Sequence, residues 1–276
     1  MTDRELPQLG DLSGPSMPNG SSGSGGLAAP GGLDGLDGLV AAAWPAPYVQ
    51  DIGGWLLRHA DGVTKRANSV LPLEAPEALD EAIARAEGFY AERGLPTVFS
   101  MSGQSRPSGL DALLHARGYE LVDPTLAMTT EITGPYREDG AAGVAGVVVE
   151  DAPSREWLER WWAVDGRYAE QLPVAEKILT GVPAGYASLD GAAVGRAVPQ
   201  GEWLGIYAMA VAPDARCRGL GRRVLRGLLD WGGTRGCTRA YLVVVARNAA
   251  ARALYESEGF GVSGGYHYRV KPLPAR

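Results

Sequence analysis

Two kinds of apolar spacing alternate along the second half of the chain, and together they predict an order of elements. The run "VVVE" (147–150) has the length of a short buried strand, whereas Trp157, Leu158, Trp161 and Trp162 return at the helical period. "EQLPVAEKIL" predicts a second short helix, and "GYASLD" and "AAVGRAV" flank Gly191 as the arms of a hairpin. "WLGIYAMAV" reads as a long apolar strand followed by an amphipathic helix. "RAYLVVVA" is a further strand, "NAAARALYESEG" a helix and "GGYHYRV" a last strand. The predicted order is strand, two helices, three strands, helix, strand, helix, strand. This is an α/β (α+β) chain with a mixed sheet and flanking helices.

Residues 42–132 repeat the later part of that order. "GWLLRHADGVTKRANSVLPL" offers two strands around a turn, then come the helix "ALDEAIARAEGFYAERG", the strand "TVFSM", the helix "GLDALLHARGY" and the strand "TLAMTTEI". Pro72 and Pro213 stand 141 positions apart, as do Gly118 and Gly259, and "ALLHARGY" then falls on "ALYESEGF". The expectation is a tandem repeat. Residues 133–146, "TGPYREDGAAGVAG", read as a linker, and 147–276 form the second unit. Residues 1–41 are rich in Gly, Ser and Pro and poor in large apolar side chains, so they predict a disordered tail.

Composition narrows the class. The 276 residues are 45% hydrophobic and 21% charged, with a formal net charge of −6. That balance argues against general nucleic-acid affinity. Cys217 and Cys237 form neither a disulfide framework nor a zinc pattern, and no metal is expected. No apolar run is long enough for a membrane span, and the first residues lack a signal-peptide core, so a cytoplasmic location is expected.

The chemistry gathers in residues 211–231, "VAPDARCRGLGRRVLRGLLDW". A strand ends in a basic, glycine-dotted turn that opens a helix. Free amides and the partial positive charge of a helix N-terminus suit an anion there. Gly219 and Gly221 let the backbone approach a bulky phosphate, and Arg216, Arg218 and Arg222 add charge. Leu220, Val224, Leu225, Leu228 and Leu229 give the helix an apolar stripe. Neither the triphosphate-loop pattern nor the dinucleotide glycine pattern is present.

The hexapeptide Arg216-Cys217-Arg218-Gly219-Leu220-Gly221 fits [RQ]xxGx[GA], and it resembles the coenzyme A pyrophosphate loop of the GNAT-superfamily N-acetyltransferases. One strand later, "RNAAARALYESEGF" resembles the NxxAxxLYxxxGF element of the same family. The resemblance spans about 147–270. It implies that the backbone of Met209, Ala210 and Val211 serves the acetyl and pantetheine arm of acetyl-CoA. It implies further that Arg216 through Arg222 hold the pyrophosphate, that Asn248 contacts the pantetheine or phosphate portion, and that Tyr255 protonates the departing thiolate. The expected reaction is direct attack, in a ternary complex, by an amine of a small molecule, peptide or protein. A non-catalytic acyl-CoA-binding or sensing module is the alternative. A monomer or homodimer is expected.

The chain also departs from the family. Positions where relatives carry a carboxylate base fall at Val243 and near Gly205, and Glu202 is the nearest acidic residue in sequence. In the first repeat the loop reads "PLEAPEALDEA", where Glu74, Glu77, Asp80 and Glu81 would repel a phosphate, and Leu114 stands in place of the tyrosine. That half resembles the N-terminal halves of tandem bacterial GNAT proteins and reads as degenerate. Trp161 and Trp162 are candidates for an acceptor groove, with one of them core, and Asp165 and Glu170 could meet a cationic acceptor. His59, His115 and His267 carry no supporting pattern, and Cys217 reads as a small filler.

Overall fold

The computed structural model describes residues 35–134, 144–166 and 170–273, apart from the side chain of Asp165. The first series of elements comprises α1 (Leu36–Ala43), β1 (Tyr48–Asp51), β2 (Trp55–His59), a 3-10 turn (Lys65–Ala67), β3 (Val70–Pro72), α2 (Leu79–Ala91), β4 (Thr97–Ser102), α3 (Leu110–Ala116) and β5 (Glu120–Glu131). The second comprises β6 (Val148–Glu150), α4 (Arg155–Asp165), α5 (Leu172–Thr180), β7 (Gly185–Leu189), β8 (Ala193–Gln200) and β9 (Trp203–Val211). It continues through a 3-10 turn (Pro213–Ala215), α6 (Leu220–Gly233), β10 (Arg239–Val245), α7 (Ala249–Ser257) and β11 (Gly261–Lys271). Mixed α/β architecture with one sheet and flanking helices is what the spacing predicts.

One boundary differs. The stretch read as tail through residue 41 becomes helix at Leu36, where Leu36, Val40 and Ala43 fall on one face and are buried. Surrounding glycines conceal that short stripe in the sequence. Residues 1–34, and 135–143 of the expected linker, lie outside the described residues.

Among the described residues, eleven strands form a single sheet in the order β1-β2-β3-β4-β11-β5-β10-β9-β8-β7-β6. Its centre is an exchange. The last strand of the first series, β5, pairs antiparallel with β10, from Thr125↔Val245 to Glu131↔Arg239. The last strand of the second, β11, pairs antiparallel with β4, from Tyr266↔Ser102 to Lys271↔Thr97. β5 and β11 also pair with each other. Each series therefore closes its own sheet with a strand from the other.

The helices before the exchanged strands end alike. Gly118 and Gly259 take left-handed φ of 80° and 85°, a conformation glycine adopts at little cost. The following amides, Tyr119 N–H and Phe260 N–H, reach back 3.0 Å to the carbonyls of Leu114 and Tyr255.

Apolar clusters fill the layers between the sheet and its helices. Helix α6 packs on one face of the second half through Val224, Leu225, Leu228 and Leu229, all fully buried. The opposite face carries α1, α4 and α5, with Trp44, Trp157, Trp161 and Ile178 inside. Helices α2 and α3 cover the first half through Ile83, Phe89, Leu110 and Leu114. Residues of β11 alternate accordingly. His267, Arg269 and Lys271 meet α2 and α3, while Tyr266 and Tyr268 point the other way.

A clasp fixes β11 to α3. The Asp111 carboxylate accepts from Arg269 Nε (2.8 Å) and a terminal Arg269 nitrogen (2.9 Å), and lies 2.7 Å from His267 Nε2. The Arg269 bonds, with His267 assisting, hold the carboxyl well below its ordinary value. With its folded value depressed, the clasp contributes fully above the unfolded value near pH 4 and is lost as pH falls toward the folded value. Asp111→Asn should cost roughly 1–2 kcal/mol, a figure reduced for the carboxylate's part-exposure. Denaturant unfolding between pH 3 and 7 should show the gap between wild type and variant narrowing toward acid. A gap unchanged with pH would assign the loss to packing.

Candidate active site

β9 and β10 run parallel from Trp203↔Arg239 to Ile206↔Leu242, and there their pairing stops. The cause is local to β9. Opposite β8 the register shifts between Val194↔Ala210 and Arg196↔Tyr207, so Ala208 and Met209 together face Gly195. Ala208 adopts φ 51°, the mark of a bulge that re-aims the strand. A Cβ on Gly195 would stand 2.6 Å from Met209 Sδ, so glycine there lets the bulged side chain lie across β8. Beyond the split, Met209 lines a cavity of about 410 Å³, while Ala210 and Val211 pair with Val194 and Ala193 of β8. Cavities of this size commonly hold small ligands.

The strand leads to the basic, glycine-dotted turn before α6. Cys217 and Gly219 take φ 60° and 77° on either side of Arg218, and all three are exposed. Left-handed residues set in this way bend the backbone into a concave nest of amides. Arg223 N–H makes the first bond of α6, to the Gly219 carbonyl, so the amides of Leu220, Gly221 and Arg222 precede the helical ladder. Arg216 Nε donates to the Val211 carbonyl at 3.3 Å and braces the turn. The Arg222 guanidinium is committed elsewhere: it pairs with Glu258 at 2.7 Å and donates to Ser257 Oγ at 2.9 Å. Arg218 thus supplies the exposed side-chain charge that the Arg222 partners remove.

Asn248 and Tyr255 both line the cavity. Asn248 Oδ1 caps α7 by accepting from Ala251 N–H at 3.1 Å, which leaves its side-chain NH₂ for other partners. Tyr255 is buried between α7 and the sheet, and among the described residues its hydroxyl has no hydrogen-bond partner. Burial pushes its phenol up to about 12.

Glu202 stands just before β9, at its opposite end, four residues or about 13 Å from Ile206, where the pairing with β10 stops, and it pairs with Arg239 at 3.9 Å. It does not line the cavity. At Gly205, where the family resemblance would put a carboxylate, a Cβ would meet Tyr241 Oη and Tyr207 Cε2, each at 2.7 Å. The space above Gly205 belongs to two phenols. Tyr207 and Tyr241 share a 2.8 Å hydrogen bond, and Tyr241 donates to Gln200 Oε1 at 2.6 Å. Val243, the other such position, lines the cavity as an apolar wall.

Sequence reasoning misses the far wall. Lys65, Arg66, Asp123, Tyr266 and Tyr268 face the split strands from the first half and from β11, joined by Trp44. Asp123 is held by Lys65 (3.0 Å) and Arg247 (2.7 Å); burial works to raise its carboxyl, but the two cations prevail and lower it. The period-two spacing of Tyr266 and Tyr268 is the one local signal for this wall. Trp161 is buried and lines the cavity, whereas Trp162 packs beside it at 5.5 Å between ring centroids. Glu170, exposed, is not among the lining residues, and the Asp165 side chain lies outside those described. Among the described residues no group of three or more His, Cys, Asp or Glu could hold a metal ion, and no helix is long and apolar enough to cross a membrane.

Residues 35–269 match the family model described as "Probable histone acetyltransferase Rv0428c C-terminal". The chain is 33% identical over 240 residues to the uncharacterized N-acetyltransferase YobR of Bacillus subtilis, covering 84% of this chain and 96% of that one. It is 31% identical over 244 residues to the probable histone acetyltransferase Rv0428c of Mycobacterium tuberculosis, covering 86% and 72%. A GCN5-related N-acetyltransferase from Kribbella flavida shares the fold, with a TM-score of 0.62 at 16% identity over 87% of this chain and 97% of that one.

The close approach at Gly205 has a measurable cost attached. Gly205→Ala should destabilise the fold by roughly 1–3 kcal/mol, because strand backbone and two buried rings must move. Gly205→Ala combined with Tyr241→Phe should recover part of that loss, as read from thermal melts. Equal melting temperatures for wild type and Gly205→Ala would show that the rings are not held against the strand.

Proposed function

The chain belongs to the GNAT superfamily of N-acetyltransferases, and from that premise we propose that it transfers the acetyl group of acetyl-CoA to a primary amine. The observation that carries this reading is the joining of an exposed amide nest at Cys217–Gly221 to two strands that part beyond Ile206 and Leu242. The nest and the N-terminus of α6 suit a diphosphate. Unpaired backbone along the parted strands suits an extended amide-bearing arm, and Asn248 adds a donor at its side. The coenzyme supplies the activated acyl group, and the residues bind and orient it.

In the transfer an N–C bond forms as the C–S bond breaks. The amine gives up one proton and the departing sulfur gains one, so the reaction is balanced by an acetamide and a free thiol. Tyr255, still protonated throughout the physiological range, donates a hydrogen bond to the sulfur as charge develops on it. The burial that weakens the phenol as an acid also strengthens a buried thiolate as a base, so the two stay matched. With Asp123 held by two cations and Glu202 remote, the amine enters neutral, and rate enhancement comes chiefly from positioning.

The test is calorimetry of the full chain with acetyl-CoA. Gly219→Asp puts a carboxylate in the nest at an exposed left-handed position that aspartate tolerates, and Gly219→Asn is its neutral control. The aspartate variant should lose at least roughly 10-fold in affinity, from one charge–charge contact of about 1.4 kcal/mol or more. The asparagine variant should lose far less. Equal losses, or no binding by wild type, would end the pyrophosphate assignment.

Tyr255→Phe should lower kcat by roughly 10²-fold, with acetyl-CoA affinity within about 2-fold of wild type. Unchanged turnover would remove the hydroxyl from the reaction.

A further inference from the structure

The far wall of the cavity carries a cation that no carboxylate among the described residues pairs with. The 3-10 turn at Lys65–Ala67, entered through Thr64 at φ 59°, delivers two successive cations. Lys65 is paired with Asp123. Arg66 is not: among the described residues no carboxylate pairs with it, and its Nε is buried without a hydrogen-bond partner. Its guanidinium lies 5.2 Å from the Trp44 ring centroid and 5.5 Å from that of Tyr207. Burial works to lower its pKa, but the facing phenols of Tyr266, Tyr268 and Tyr207, with a hydrogen bond to Tyr266, raise it above the ordinary arginine value.

The surrounding carboxylates are taken. Asp123 serves Lys65 and Arg247, and Asp37 accepts from Ser102 Oγ at 2.5 Å. On the same side, wholly buried Arg196 lies 5.8 Å from the Trp44 ring, with one bond to the Ala43 carbonyl (2.8 Å) and two guanidinium nitrogens without partners. Arg66 is half-buried and Arg196 fully buried; a cation so placed without a carboxylate partner is costly, and a docking anion offsets that cost. The anion in question is not the coenzyme's diphosphate. Arg66 stacks on Trp44 and Tyr207, which belong to the α1–α4–α5 face of the sheet, whereas the amide nest opens α6 on the other face.

We propose that the acceptor is an amine that also carries a carboxylate, read by Arg66 from within its cage of Trp44, Tyr207, Tyr266 and Tyr268. This rests on the acetyltransferase reading of the same cavity and adds the class of acceptor to it. The carboxylate takes no part in the transfer; it orients the amine. A cationic wall also favours the neutral form of that amine, which suits a site without a free carboxylate base. The same wall disfavours polyamines and lysine-rich tails.

The experiment measures kcat/KM on the full chain for two matched pairs, glycine against glycinamide and alanine against alaninamide, and for a lysine-rich peptide. The carboxylate-rich member of each pair should be favoured by roughly 10- to 100-fold, the range of a charge-assisted pair. Arg66→Met should erase the preference and Arg66→Lys should keep part of it. Equal use of acids and amides by wild type, or preference for the peptide, would overturn the proposal. If no amine in the panel is turned over, N-acetylglycine and N-acetylglycinamide are titrated onto the enzyme–CoA complex. Tighter binding of the acid, lost in Arg66→Met, supports the proposal, and equal or absent binding overturns it. Acetyl-CoA calorimetry alone keeps the two readings apart. Normal coenzyme binding with the wrong acceptor preference sinks only the carboxylate, whereas no coenzyme binding sinks the acetyltransferase reading itself.

Discussion

Two antiparallel ladders, β5 on β10 and β11 on β4, hold everything else in place. Without β5 the strand that forms one lip of the split would be an exposed edge, its amides and carbonyls unpaired. Without β11 the cavity would lose Tyr266 and Tyr268, and Arg66 would lose the phenols that face it. The site is thus completed across the exchange. One side of it comes from β9, β10 and α7, next to the turn that opens α6, and its far wall from the first half and β11. A first half that has acidic residues where a phosphate loop would stand still contributes to the cavity through Lys65, Arg66 and Asp123.

Local patterns made much of this legible. The strand-to-helix turn around Gly219, the cap at Asn248 and the spacing to Tyr255 are all written within a few residues of one another, where periodicity and turn chemistry operate. Helix α1 is obscured in the sequence because its three buried apolar positions, Leu36, Val40 and Ala43, sit at the end of a glycine-rich stretch. The far wall could not be read, since Arg66, Asp123 and Tyr266 meet only through strand pairing between distant segments. Sequence proximity likewise pointed to Glu202 as the nearest acid, although the length of β9 removes it from the split. Arg222, which the local pattern places among the phosphate charges, also pairs with Glu258 at the C-terminal cap of α7.

The site divides its electrostatic work between two faces of one sheet. On the α6 face, backbone amides and an exposed arginine form a cradle that needs no buried charge. On the opposite face, aromatic rings carry buried guanidinium groups whose cost is left open. Between them stand the phenols of Tyr207 and Tyr241, which occupy the space above Gly205 and hydrogen-bond one another, Tyr241 also donating to Gln200. Rings fill the room that an acidic side chain at Gly205 would need.

The exchange has a consequence for biosynthesis. As the polypeptide leaves the ribosome, β4 and β5 emerge long before their common neighbour, β11, which occupies the place between them and ends at Lys271. If the two earlier strands joined directly they would shut the slot that β11 must fill, and the register would be set before its proper neighbour existed. Residues that favour a waiting gap over early closure therefore bear on yield as much as on catalysis, and translation must pass Lys271 before the sheet is whole.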